Sequence, residues 1–120
     1  MSMIETPLMR GLARVLDQSA FRQQLIAGNL ANVDTPGYRT RDIRSFAGEI
    51  EQAMAGEQAP MAPIAHTLRG LLERPDGNNI SVERESLLMA ENQLRFQVAA
   101  QFLKLEFHRL SLAINGGSPS

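Results

Sequence analysis

The fold turns on the stretch Asn29-Leu30-Ala31-Asn32-Val33-Asp34-Thr35-Pro36-Gly37-Tyr38. It closes a long helical pattern and opens a segment without one. Pro36 has no N–H and pushes Thr35 out of the α region toward an extended backbone. Gly37 after Pro36 suits the second central position of a type II turn, which needs a positive φ. Asp34 and Thr35 can bond nearby backbone groups and so favour the turn. Asn29 and Asn32 are placed to hold the helix end with side-chain hydrogen bonds. Tyr38 adds a flat apolar ring with a polar tip, suited to anchoring against a neighbouring surface.

Upstream of this stop, Thr6-Pro7 reads as a helix start, with Thr6 as N-cap and Pro7 at the first helical position. Met9, Leu12, Leu16, Ser19, Gln23, Ile26, Leu30 and Val33 then alternate spacings of three and four, a heptad-like seam whose centre, Ser19 and Gln23, is polar. Gly11 and Gly28 each cost roughly 1 kcal/mol against alanine within a helix. This helix is expected to need a partner.

Downstream, Arg39 to Phe46 mixes charges with sparse apolar residues and can be extended, with Ile43 and Phe46 as anchors, and a short helix from Phe46 to Met54 is expected. Ala55 to Pro63 has the composition of a flexible linker. Ile64 to Leu72 suits a short strand or a helical turn. Asp76-Gly77-Asn78-Asn79 is a second turn signal. Asp76-Gly77 can be the two-residue loop of a hairpin whose arms are Leu71-Leu72 and Ile80 to Val82.

A second long helix is expected from about Val82 to Asn115, capped by Ser81 or a preceding asparagine, with Glu83 and Glu85 complementing its dipole. At 100° per residue it carries two apolar faces. Leu87, Leu94, Val98, Leu105 and Leu112 form one narrow stripe. Met89, Phe96, Ala99, Leu103, Phe107, Leu110 and Ile114 lie roughly opposite. Two faces need two sets of partners. The first helix can cover one, taken to be the stripe through Leu94, Val98 and Leu105. The face of Phe96, Leu103, Phe107 and Leu110 is then left for other subunits, although the two assignments can be exchanged. With Leu12, Leu16, Ile26 and Leu30 these are the expected interface residues.

The chain of 120 residues has a net charge of -1 and no cysteine. The charge balance gives no general attraction to nucleic acid. The lack of thiols excludes disulfides and cysteine nucleophiles. No stretch approaches the ~20 apolar residues of a membrane span, and the N-terminus lacks the pattern of a cleaved secretory signal. His66 and His108 have no metal-ligand partner at helical spacing. No serine sits in a nucleophile elbow, and no glycine loop is spaced to cradle phosphate. Neither an active site nor a cofactor is expected.

The fold class expected is mainly α. Helices in 1–35 and 81–116 pair as a coiled-coil-like hairpin, joined by an irregular segment, 36–80, that has turns and can carry a short β-hairpin; 117–120 is a tail.

Three features in order, Asn29-x-x-Asn32-x-x-Thr35-Pro36-Gly37-Tyr38, Asp76-Gly77-Asn78-Asn79 and Glu85 with Ala90-Glu91-Asn92-Gln93-Leu94-Arg95-Phe96-Gln97, resemble the flagellar basal-body rod protein family over nearly the whole chain. The short length and Arg41-Asp42-Ile43 resemble its proximal members. The resemblance implies a structural subunit that stacks helically with its own copies and other rod proteins into a hollow, torque-transmitting shaft in the periplasm. It further implies contact with basal-body base components and passage through the flagellar type III export apparatus without a cleaved signal, with no nucleic acid and no membrane insertion. A cytosolic helical adaptor or export chaperone of the flagellar system is the second reading. It accounts for the helices but leaves Thr35-Pro36-Gly37-Tyr38 to chance.

Overall fold

The computed structural model describes residues 6–43 and 64–116. The short helix expected after Phe46 and the linker at 55–63 lie outside the described residues. Helix α1 spans Pro7–Ala31, strand β1 Arg41–Asp42, strand β2 His66–Thr67 and helix α2 Val82–Ile114. The protein is mainly helical, and the two helices pack antiparallel, with Asn29 against Glu85 at one end and Ser19 against Asn92 midway.

Both helix starts follow from their caps. The Thr6 hydroxyl accepts the Met9 N–H at 3.1 Å, and Pro7 takes the first helical position, where a missing N–H is harmless. The Ser81 hydroxyl accepts the Arg84 N–H at 3.2 Å, with Glu83 and Glu85 in the first turn. Helix α1 stops at Ala31. Asn32 caps it, and the Asn32 side chain donates to the Gly28 carbonyl at 2.8 Å. Then Thr35-Pro36-Gly37-Tyr38 closes as a turn, the Tyr38 N–H donating to the Thr35 carbonyl at 3.2 Å and Gly37 standing at φ 75°. That is the type II geometry the Pro-Gly pair encodes.

The two-stranded sheet is not the one expected around Asp76-Gly77. Arg41 pairs with Thr67 and Asp42 with His66, antiparallel, so of the two options for Ile64 to Leu72 a short strand forms. Leu71-Leu72 and Ile80 to Val82 are not hairpin arms: Leu72 is exposed and Val82 already begins α2. The turn itself is longer by one residue. The Gly77 N–H donates to the Arg74 carbonyl at 2.9 Å and the Arg74 N–H to the Asn78 carbonyl at 2.8 Å, enclosing Pro75-Asp76-Gly77 with Gly77 at φ 86°. Pro75 presets the first loop position and glycine takes the left-handed one. Beyond the loop, the Asn78 side chain is drawn to the end of α1 and the Asn79 side chain to Thr40 and Leu68 beside the strands, which stops the segment from running on as an arm.

Glycine is required where the two turns meet. A Cβ built on Gly77 would stand 3.2 Å from the Gly37 Cα, and the Gly37 N–H donates to the Asp76 carbonyl at 2.8 Å. Positive φ and a backbone neighbour therefore act together at Gly77. Gly28 is different: a Cβ there meets only the Tyr38 hydroxyl, at 3.9 Å, an ordinary contact. Gly77→Ala is expected to lower unfolding free energy by about 1–3 kcal/mol. Gly28→Ala is expected to raise it by up to about 1 kcal/mol through helix propensity. Urea unfolding of the two variants beside the parent checks both; a Gly77→Ala protein as stable as the parent would contradict the packing described.

Candidate functional site

The residues singled out in the sequence fall into two places: a polar junction at one end of the helix pair, and the outward side of α2.

At the junction, asparagine side chains replace the hydrogen bonds that regular secondary structure would supply. Asn29, 1% exposed, donates from Nδ2 to the Arg41 carbonyl at 2.9 Å and to Glu85 Oε2 at 3.1 Å, while its Oδ1 accepts the Arg41 N–H at 3.1 Å. One side chain of α1 thus holds β1 and α2 together. Asn78 donates to the Asn32 and Thr35 carbonyls at 3.0 and 2.9 Å, and its Oδ1 accepts the Ile80 N–H at 2.8 Å. These bonds bind the second turn to the first. Asn79 Oδ1 accepts the Thr40 N–H at 2.6 Å and the Thr40 hydroxyl at 2.8 Å, and its Nδ2 donates to the Leu68 carbonyl at 3.4 Å. The helix-end carbonyls left open at Asn32 and beyond are thereby satisfied.

Charge completes the junction. Arg22 holds Asp42 with two parallel bonds, Nε to Oδ1 at 2.9 Å and Nη2 to Oδ2 at 2.8 Å. Arg84 stands 3.7 Å from the same carboxylate and 2.9 Å from Glu85 Oε1. The series Arg22, Asp42, Arg84, Glu85, Asn29 runs from α1 through β1 to α2 and back. The planar fork of Arg22 fixes orientation as well as distance. Among the described residues, no buried side-chain nitrogen or oxygen lacks a partner.

The remaining residues of the first motif sit around this network. Thr35 is exposed and donates from its hydroxyl to Asn32 Oδ1 at 3.0 Å; Pro36 is exposed. Tyr38 is half-buried, its hydroxyl lying over Gly28 of α1. The Asp76 carboxylate accepts the Asn78 N–H at 3.0 Å inside the second turn. The Arg74 guanidinium donates to the Val33 carbonyl.

Along the helix pair, α1 presents Met9, Ser19, Ile26 and Asn29 as its buried residues, close to the seam its spacing predicts, with Leu12, Leu16 and Leu30 half-buried. On α2 the buried residues are Glu85, Asn92, Ala99 and Glu106, with Leu103 and Leu110 half-buried among them. This is the exchanged assignment. The stripe expected to pack on α1 faces outward instead: Leu94 is 61% exposed, Val98 46% and Leu105 62%. Phe96 and Phe107 flank the seam and remain largely exposed. The physical reason is Asn92. It donates to the Ser19 carbonyl at 2.8 Å and to Gln23 Oε1 at 3.0 Å, so the polar centre of α1 selects the face of α2 that carries an amide. Near the far end, the Arg109 guanidinium beside Glu106 holds its carboxyl below the ordinary value of 4.5, and the hydroxyl of Thr6, the N-cap of α1, adds to that.

On the outward side, Leu94, Gln97, Val98, Gln101, Phe102 and Leu105 line a shallow groove of about 320 Å³. Leu87, 68% exposed, extends the stripe toward the start of α2. Among the described residues no group of three or more His, Asp or Glu side chains is placed to hold a metal ion. His66 lies on β2 and His108 on α2, so the fold does not bring the histidines into one element. No described helix is long and apolar enough to cross a membrane.

Asp42, Asn79, Arg22, Arg84 and Glu106 carry much of this arrangement without having been singled out as site residues from sequence. Two of them had a signal, Asn79 in the second turn and Asp42 in Arg41-Asp42-Ile43.

No protein-family model matches the chain. Among curated proteins it is similar to the flagellar basal body rod protein FlgB of Salmonella typhimurium, 30% identical over 124 residues that cover 86% of this chain and 89% of the relative. The FlgB proteins of Escherichia coli, at 27% identity with the same coverage, and of Bacillus subtilis, at 24% over 90% of this chain and 93% of the relative, align likewise. Such similarity along nearly the full length of relatives that share one name, spanning both helices and the polar junction, makes this chain a member of the FlgB family of flagellar basal body rod proteins.

Proposed function

We propose that this chain is a structural, non-catalytic subunit of the proximal rod. In this reading it assembles helically with its own copies and other rod proteins into a hollow shaft that crosses the periplasm and carries motor torque. It reaches that position through the flagellar export apparatus without a cleaved signal and docks on basal-body base components.

The observation that carries the proposal is the outward stripe of α2. Leu87, Leu94, Val98, Phe102 and Leu105 form a row of large apolar side chains with nothing of the described chain across it. Burying one such side chain stabilises by roughly 1.5–3 kcal/mol. A neighbour covering several of them contributes an amount comparable to the whole stability of a small domain, about 5–15 kcal/mol. A rigid junction at one end of a long helix pair, beside an apolar rail along its length, suits a part that must be held by neighbours and must resist twisting.

The test is incorporation. A tag placed in the 55–59 stretch, after motility is confirmed, should bring the chain down with detergent-extracted basal bodies in high salt. Leu94→Glu combined with Leu105→Glu should leave export intact, remove the chain from basal bodies and abolish swimming. Normal rods containing the charged variant would overturn the docking surface. A tagged chain that stays in the cytosol while basal bodies form would overturn the rod reading itself.

A further inference from the structure

The helix pair faces a problem of choice. Helix α2 has two apolar faces, and α1 could in principle take either one, in more than one register, or take the α2 of another copy. We propose that Asn92, supported by the Asn29–Glu85 bond, selects the inward face and the antiparallel register, and thereby keeps α1 and α2 of one chain together. This concerns pairing within a chain and stands whether or not the chain builds rods.

The buried row of α2 is Glu85, Asn92, Ala99 and Glu106, one residue per heptad. Three of these are polar, where a seam built only for adhesion would carry Leu or Ile. Both of Asn92's bonds cross to α1, to the Ser19 carbonyl and the Gln23 amide oxygen, so neither travels with α2 if the helix moves. Asn29 likewise bonds only across, to Glu85 and to Arg41. Glu106 is a weaker selector, because Arg109 on its own helix accompanies it.

Sliding α2 by one heptad toward the start of α1 sets Asn92 against Leu12 and Leu16 in place of Ser19 and Gln23. The Gln23 amide oxygen would be lost as a partner, and leucine side chains in place of Ser19 and Gln23 would crowd the backbone carbonyl that Asn92 must reach, leaving a buried amide under-bonded, the costly arrangement for a polar group. Turning α2 to present Leu94, Val98 and Leu105 removes Asn92 from the seam and leaves the Ser19 and Gln23 layer against leucine and valine. The outward groove also holds two amides, Gln97 and Gln101, but both stand exposed to solvent rather than buried, so the stripe makes a weaker demand on what covers it. One face of α2 is therefore selective for α1 and the other is chiefly adhesive.

The experiment uses the full chain, which has no native cysteine to interfere. Cysteines at the exposed Arg10 and Gln93 positions are spin-labelled and their separation is measured by pulsed electron resonance in dilute solution. The parent should give one narrow distance. Asn92→Leu should keep its helix content but add a population displaced by about 10 Å, one heptad at ~1.5 Å per residue, or shift mass into dimers by sedimentation. Asn92→Ala, which copies the residue already accepted at Ala99, should do the same to a lesser degree. A single unshifted distance and unchanged mass in both variants would overturn the proposal. So would loss of helix in both, since the amide would then be needed to form the pair rather than to choose it.

Discussion

A side-chain amide can donate and accept at once, and the junction of this fold rests on asparagines that do both. Asn29 gives its Nδ2 to Arg41 and Glu85 and takes the Arg41 N–H on its oxygen. Asn78 spans from the end of α1 to the approach to α2. Asn79 ties Thr40 to Leu68 across the sheet. Aspartate at these positions would keep the acceptor and lose the donor, and leucine would lose both. The strands that the junction positions are only two residues each, too short to hold by themselves. Their order comes from Asn29 and Asn79, and their orientation from the Arg22 fork on Asp42.

Among the described residues, buried polar side chains outnumber buried apolar ones. That inverts the usual distribution and has an energetic consequence. Polar burial that is fully satisfied specifies geometry, but its net stabilisation is modest, about 1 kcal/mol per hydrogen bond. The apolar side chains that would ordinarily supply stability are on the outside of α2. A chain arranged this way has a well-defined shape and a reserve of unburied apolar area. Neighbours can convert that reserve into stability without changing the fold, because the junction and the Asn92 layer do not take part in the outer surface.

The sequence made the helices, their caps and the Pro36-Gly37 turn legible, since each depends on residues adjacent in the chain. Thr6 and Ser81 cap as their types imply, and Gly37 has the positive φ that its place after Pro36 demands. The sheet was legible only in part: a short strand within Ile64 to Leu72 was one of two options, but its partner and register were not. Arg41–Asp42 and His66–Thr67 have no strand-like pattern, and their pairing depends on asparagines far away in sequence. The facing of α2 differs from expectation for a definite reason: the most regular apolar stripe suggests itself as the partner of α1, although α1's own polar centre at Ser19 and Gln23 calls for a polar one. Asn92 on the less regular face is that partner. Matching polar layers, rather than ranking apolar stripes, identifies it. The Arg22–Asp42 pair leaves no trace that spacing alone could reveal.

Native-state hydrogen exchange on the isolated full chain tests most directly whether the polar junction organises the fold. The amides of Gly37, Thr40, Leu68, Asn79 and Ile80 all donate within the junction. If the junction is the last part to open, these amides exchange as slowly as any in the chain, and more slowly than amides in the final turns of α2. If they exchange freely while both helices stay protected, helix packing holds the fold without the junction, and the asparagines do not organise it.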